Sequence, residues 1–142
     1  MKQIEIGTLK YEDFQQLLTA MKAAYTLWLG NYWRQETIRK LINKFPEGQI
    51  VIKVDDIVVG CALSIIVNYS KFGDEHTYAQ ITGNYTFNTH DPEKGDVLYG
   101  IEIFVHPDYR GLRLGRRLYD ARKELCAQLN FGAIVFGGRI PE

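Results

Sequence analysis

The sequence holds little with which to staple, anchor or export a chain. It has two cysteines, Cys61 and Cys126, each inside an apolar stretch. That excludes a disulfide framework and reads as small buried thiols in a reducing, intracellular setting. No apolar run approaches the ~20 residues of a bilayer-spanning helix. The N-terminal Met-Lys-Gln-Ile-Glu-Ile-Gly has no apolar signal core. A cytoplasmic location, with no membrane partner, is the expectation. Neither sign of charge is in excess, with 17 Lys and Arg against 17 Asp and Glu. A surface so balanced is not built as a whole for nucleic acid or membrane, so any attraction for an anion must be local. The three histidines, His76, His90 and His106, show no converging partner in the sequence. No metal centre is expected from them. Internal repeats and low-complexity segments are absent.

What is present suits one globular domain over residues 1–142, with 46% hydrophobic and 24% charged residues. Residues 3–9 alternate through Ile4 and Ile6 and predict a short strand. Phe14, Leu17, Leu18, Met21, Tyr25 and Trp28 recur at three- and four-residue steps, one stripe of a helix. Leu29-Gly30-Asn31-Tyr32-Trp33 reads as an aromatic turn covering the core, with a ligand wall as the less favoured reading. A second short helix carries Ile38, Leu41, Ile42 and Phe45 and stops at Pro46 and Gly48. Ile50 to Val54 and Ile57 to Val67 are rich in β-branched residues around Asp55-Asp56, which predicts two antiparallel strands and a tight turn. Residues 69–96 form a long connection, and the β-like passage Tyr78 to Phe87 is expected to be an added hairpin. Val97 to Val105 is a nearly continuous apolar run, the mark of a strand buried on both faces in the middle of a sheet. Leu114, Leu118, Ala121, Leu125 and Leu129 mark a helix that ends near Asn130 and Gly132, and Ala133 to Phe136 makes one more strand.

The turn between that buried strand and the helix reads His106-Pro107-Asp108-Tyr109-Arg110-Gly111-Leu112-Arg113-Leu114-Gly115-Arg116-Arg117. A helix start presents unpaired N–H groups and partial positive charge, a natural seat for phosphate. Gly111 and Gly115 let an anion approach the backbone, and Arg110, Arg113, Arg116 and Arg117 add charge that opposes the helix dipole unless an anionic ligand relieves it. Asp120, four residues after Arg116, offers the plainer alternative of a solvated ion-pair face. Position favours the ligand, because open sheets bind at the carboxyl ends of central strands. A P-loop and a Gly-x-Gly-x-x-Gly helix start are both missing.

Phe104 to Leu118 resembles the acetyl-coenzyme A motif of the GNAT superfamily, whose pattern is Gln/Arg-x-x-Gly-x-Gly/Ala after a strand often ending in Val-x-Pro. Arg110 and Gly115 match its first and last positions, and Arg113 stands where the pattern has its first glycine. The order of elements is similar too, with the core of the motif over 97–129. The resemblance implies an α/β (α+β) fold with a mixed, mostly antiparallel central sheet flanked by helices. In the family a helix, often carrying a tyrosine that protonates the departing thiolate, and two more strands follow this last strand. The resemblance implies either an excised domain or a sheet completed by a neighbouring chain, and assigns no thiolate acid within residues 1–142. The closing Gly137-Gly138-Arg139-Ile140-Pro141 is similar to GNAT domains fused ahead of a nitrilase-like hydrolase.

An N-acyltransferase is what the resemblance implies, taking an acyl group from acetyl-coenzyme A to a primary amine. Pantetheine would pair with backbone at Ile103, Phe104 and Val105. The diphosphate would sit on the amides from Leu112 through Arg113, Leu114 and Gly115 to Arg116, with Arg110 and Gly111 beside it. An amide near Phe104 or Val105 would hold the oxyanion. Glu102, a carboxylate in an apolar strand, is the first candidate for the base that deprotonates the amine. Tyr99 is the alternative, since some family branches place a base near that point. Strand alternation puts the two on opposite faces unless a bulge intervenes. His106 is expected to be solvent-facing. A coenzyme A-binding regulatory module is the second reading and an RNA-binding arginine helix the third. Residues 28–34 and 69–96 would shape the acceptor pocket, and an incomplete sheet edge makes a homodimer possible.

Overall fold

The computed structural model describes residues 2–25, 32–73 and 75–139, and the side chains of all of these except 136–139. The helices are α1 (Phe14–Ala24), α2 (Gln35–Lys44), α3 (Tyr78–Thr82) and α4 (Leu114–Gln128). The strands are β1 (Ile4–Thr8), β2 (Ile50–Val54), β3 (Ile57–Val67), β4 (Val97–Val105) and β5 (Ile134–Arg139). They form one sheet in chain order. The first three junctions are antiparallel and β4–β5 is parallel. A parallel pair needs a long crossover, and α4 provides it. This is the mixed, mostly antiparallel α/β sheet flanked by helices that the resemblance implied.

The alternation of each strand divides the core between the two sheet faces. On one face Phe14, Leu17 and Met21 of α1 and Ile38 and Leu41 of α2 join Val51, Cys61, Leu63, Ile65, Tyr99 and Ile101 of the sheet. On the other, Leu114 and Leu118 of α4 cover Ile52, Ala62 and Ile103. Each such aliphatic side chain removed from water stabilises the fold by ~1.5–3 kcal/mol. Because β4 lies between β3 and β5 with helices above and below, Val97 to Phe104 are all buried. Its continuous apolar reading follows from that position. Asp55 and Asp56 take φ of 51° and 67°, the paired left-handed geometry of a two-residue hairpin turn.

Three expectations are revised. Tyr78 to Phe87 is not a hairpin. Thr77 and Gln80 form a reciprocal capping box, and Gly83 at φ 61° closes the short helix α3. The β-forming Tyr, Ile and Thr side chains of this passage are outweighed by its cap chemistry. The final strand continues through Gly137-Gly138 to Arg139 rather than ending at Phe136. The arginines are not all in the first helical turn, because Arg110 belongs to a 3₁₀ segment, Pro107–Leu112, and Arg113 precedes α4 as its N-cap. Trp28, the Leu29-Gly30-Asn31 part of the aromatic turn, and Ile140-Pro141 lie outside the described residues.

The β3–β4 ladder carries one irregularity that bears on the site. Leu63 stands opposite Glu102 while Ser64 stands opposite Gly100, so Ile101 is an extra residue on β4. The bulge resets the alternation. Tyr99, Ile101 and Phe104 all join the α1 face.

Candidate active site: a bulged strand and an open helix start

The strand leads directly into the anion seat. On the β3 side, Ile103, Phe104 and Val105 pair with Ala62, Cys61 and Gly60. On the β5 side the register runs only from Leu98 to Glu102, and among the described residues no strand partners Ile103–Val105 there. Gly60 sets the spacing, since a Cβ on it would lie 2.6 Å from the Phe104 carbonyl oxygen. Beyond Val105 the His106 Nδ1 accepts the Asp108 N–H at 3.1 Å, tying down the start of the 3₁₀ segment. His106 is thus a half-buried turn cap rather than a solvent-facing group.

At the seat itself, Arg110, Gly111, Arg113, Arg116 and Arg117 are exposed, with Leu112 and Gly115 half-buried and Leu114 buried. A Cβ added at Gly111 or Gly115 would meet nothing within 4 Å, so the surface is open at both points. Arg113 has φ 57° and ψ 34°. That is the left-handed region, which explains a glycine at this position of the family pattern and costs an arginine ~1 kcal/mol. Arg116 approaches Asp120 at 3.6 Å, with both side chains largely in water, so little of its charge is neutralised. The start of α4 suits a linked diphosphate, with main-chain N–H groups and arginines around space that no described residue fills.

Glu102 lies in the opposite environment and is 2% exposed. Its Oε2 accepts the Tyr25 hydroxyl at 2.7 Å and its Oε1 accepts the Trp33 indole N–H at 2.7 Å. Below the sheet, Arg122 Nη2 donates to the Glu102 carbonyl at 2.8 Å and the Leu63 carbonyl at 3.0 Å. From the upper face the Tyr78 hydroxyl donates to the Ile101 carbonyl at 2.7 Å. The bulge is therefore gripped by donors on both faces. Burial lowers the Arg122 pKa to about 10, against the raising influence of Cys61, Tyr119 and Glu102. Burial, and then the Glu102 charge, push the Cys61 thiol well above its ordinary range and leave it inert.

Tyr99, 2% exposed, shares the α1 face with Glu102 because of the bulge. Its hydroxyl lies 2.7 Å from His76 Nε2, and His76 Nδ1 lies 2.7 Å from the Gly73 carbonyl oxygen. Burial, then the neighbouring Tyr69, raises the Tyr99 pKa. His76 thus has the partner that the sequence did not reveal.

The other residues that sequence reasoning passed over left partial signals. Arg122 occupies the same i, i+4 row as Leu114, Leu118 and Cys126, so a charge on a buried helix face was readable. Tyr78 was concealed by the hairpin reading, although the Thr77/Gln80 cap locates it. Among the described residues, no group of three or more His, Cys, Asp or Glu is placed to hold a metal ion.

A central strand whose Ile103–Val105 end has no β5-side partner among the described residues, a bulge at its middle and an open helix start at its end suit acyl transfer. Comparison with known proteins agrees, since the Acetyltransferase (GNAT) family matches residues 14–139 and the chain belongs to that family. It is 34% identical over 140 residues to the "Probable hydrolase YhcX" of Bacillus subtilis (strain 168), covering 99% of this chain and 27% of that protein. It is 32% identical over 109 residues to the "Uncharacterized N-acetyltransferase YkwB" of the same organism, covering 77% of this chain and 48% of the relative. The chain thus spans less than half of either relative. Among solved structures, the loading GNATL domain of CurA from Lyngbya majuscula superposes with a TM-score of 0.72 at 24% identity, covering 89% of this chain and 59% of that one. At that identity the superposition speaks for the fold.

Proposed function

We propose that this protein is an N-acyltransferase that moves an acetyl or similar acyl group from the coenzyme A thioester to a primary amine. The observation that carries the reading is the continuity of the site. Among the described residues no strand pairs with the β5-side flank of Ile103–Val105, which runs into an arginine-flanked helix start with open space at Gly111 and Gly115. Pantetheine would take the strand flank, pairing with backbone at Ile103 to Val105. The diphosphate would take the amides from Leu112 to Arg116, with Arg110 alongside. The thioester then falls at the bulge, where backbone N–H groups near Phe104 stabilise the developing oxyanion. One such donor is worth ~3 kcal/mol of barrier.

Of Glu102 and Tyr99, the two candidates for proton transfer from the amine, Tyr99 is the one assigned that role. They play unequal parts. Both oxygens of Glu102 already accept buried donors, which suits an anchor that orients Tyr25 and Trp33 and supplies negative potential for an ammonium acceptor. Tyr99 keeps a hydroxyl directed to a histidine.

Calorimetric titration with acetyl-coenzyme A, followed by thiol-release assays over polyamines, amino acids, peptides and aminoglycosides, tests the reading. Saturable binding with thiol release on at least one amine supports it, and no binding overturns it. The saturated state of Glu102 favours one alternative, a coenzyme A-responsive module that binds without turnover inside a longer protein. The hydrolase-named relative, of which this chain matches 27%, is consistent with such an arrangement. Binding with no thiol release on any amine would favour the module.

A further inference from the structure

We propose that His76 and Tyr99 form a proton relay that takes the acceptor amine's proton from beside the β4 bulge out to solvent. The proposal rests on the acyl-transfer reading above.

The direction of the relay follows from hydrogen-bond chemistry. The Gly73 carbonyl oxygen can only accept, so His76 Nδ1, 2.7 Å away, carries the ring proton in the neutral imidazole. Nε2 is then the lone-pair nitrogen, and the Tyr99 hydroxyl at 2.7 Å must donate to it. The Tyr99 oxygen is left with lone pairs for an incoming N–H. The backbone carbonyl thus fixes the histidine tautomer, as a carboxylate does in other nucleophile–histidine pairs.

Placement supports the same role. Tyr99 immediately precedes the bulge at Gly100–Glu102, where the thioester falls in the acyl-transfer reading. Tyr78 holds the Ile101 carbonyl from the same face of the sheet, so Tyr99 lies in a fixed frame. Tyr99 is 2% exposed, whereas His76 is only half-buried, so the pair joins an enclosed point to water. Among the described residues, the titratable groups against the histidine ring are Tyr69, edge-on at 5.7 Å, and Tyr99 itself, with Glu75 adjoining in the chain.

The step balances as follows. The ammonium first gives one proton to water. The neutral amine nitrogen then bonds to the thioester carbonyl carbon, and the C–S bond breaks with its electron pair leaving on sulfur. The amine proton passes to the Tyr99 oxygen while the proton already on Tyr99 passes to His76 Nε2. The imidazolium, still holding Gly73 through Nδ1–H, returns its proton to water, and the thiolate takes one from solvent. Burial keeps Tyr99 protonated before and after the step, so it conducts a proton without resting as a phenolate.

Long-range ¹H–¹⁵N NMR of histidine-labelled full chain near pH 7.5 reads the tautomer without any substrate. Protonated Nδ1 with a bare Nε2 on His76 is expected, and protonated Nε2 overturns the relay. In thiol release with acetyl-coenzyme A and the amine of highest turnover, Tyr99→Phe and His76→Gln should each lower kcat by about 10²-fold and leave KM for acetyl-coenzyme A within about twofold. The double variant should be no slower than the worse single one, because both interrupt one path. Unchanged kcat in His76→Gln, or multiplicative losses, overturns the relay while wild-type thiol release leaves acyl transfer standing. A wild type that releases no thiol with any amine removes both. Should Tyr99→Phe not fold, the half-buried His76→Gln carries the kinetic test alone.

Discussion

The helix start at Arg110–Arg116 and the bulge at Gly100–Glu102 adjoin one strand and are built in opposite ways. The first has exposed arginines over a buried Leu114, and an added Cβ at either of its glycines would meet no described residue within 4 Å. The second is buried and held by side chains from α1, the segment before α2, α3 and α4. Substitution at the helix start should therefore change affinity while sparing the fold. Substitution at the bulge should change the fold first and chemistry through it.

The largest test of that contrast is Glu102→Ala. It strands the Tyr25 hydroxyl and Trp33 indole N–H in the core and removes the charge near Arg122, so we expect a loss of about 3–5 kcal/mol in urea unfolding. Glu102→Gln keeps an acceptor and should lose less, about 1–3 kcal/mol. Full stability with collapsed turnover, recovering at high pH, would recast Glu102 as the base. Next, Arg110→Ala combined with Gly115→Glu should weaken acetyl-coenzyme A binding about 100-fold, or ~2.7 kcal/mol, by calorimetry. Its urea midpoint should hold or rise, since Arg110 is exposed and a glutamate in place of the first-turn glycine favours α4, and unchanged affinity would mean that the diphosphate lies elsewhere.

Arg113→Gly sharpens the comparison from the other side, by removing the cost of a left-handed arginine. A gain of about 0.5–1 kcal/mol is expected from chemical denaturation. The smallest effect concerns His90, whose Nδ1 accepts the Ile66 N–H at 3.0 Å. Burial, and then the Lys44 charge, lower its pKa from 6.5. The unfolded chain thus binds the proton more readily, so this contribution is complete above pH 6.5 and is lost as pH falls through the depressed value. Urea midpoints between pH 7.5 and 5 should fall less in His90→Asn than in the wild type.

The same contrast explains what could be read in advance. The helix start is a local feature, within one continuous stretch from Val105 to Arg117, and its glycines, arginines and preceding apolar strand are enough to propose an anion seat without knowledge of the rest. The left-handed Arg113 was visible only as a departure from a glycine. The bulge has no comparable local signature. Glu102 meets Tyr25 and Trp33 across 77 and 69 positions, and Arg122 reaches Leu63 across 59. Such pairings are set by sheet register and helix docking, which periodicity does not encode. The histidine paired with Tyr99 was hidden for the same reason, since residues 69–96 read as a connection with no partner. In that connection the capping pair Thr77 and Gln80 was a legible signal, passed over because the aromatic and β-branched residues around it favoured strand.

Tyr25 and Trp33 stand at the two ends of one stretch, and a single carboxylate at Glu102 receives both. The fastening is done by the sheet's interior, through one acceptor that serves two donors. A single position on β4 therefore governs how the end of α1 and the segment ahead of α2 are both tied to the sheet, so one substitution there would loosen two attachments at once.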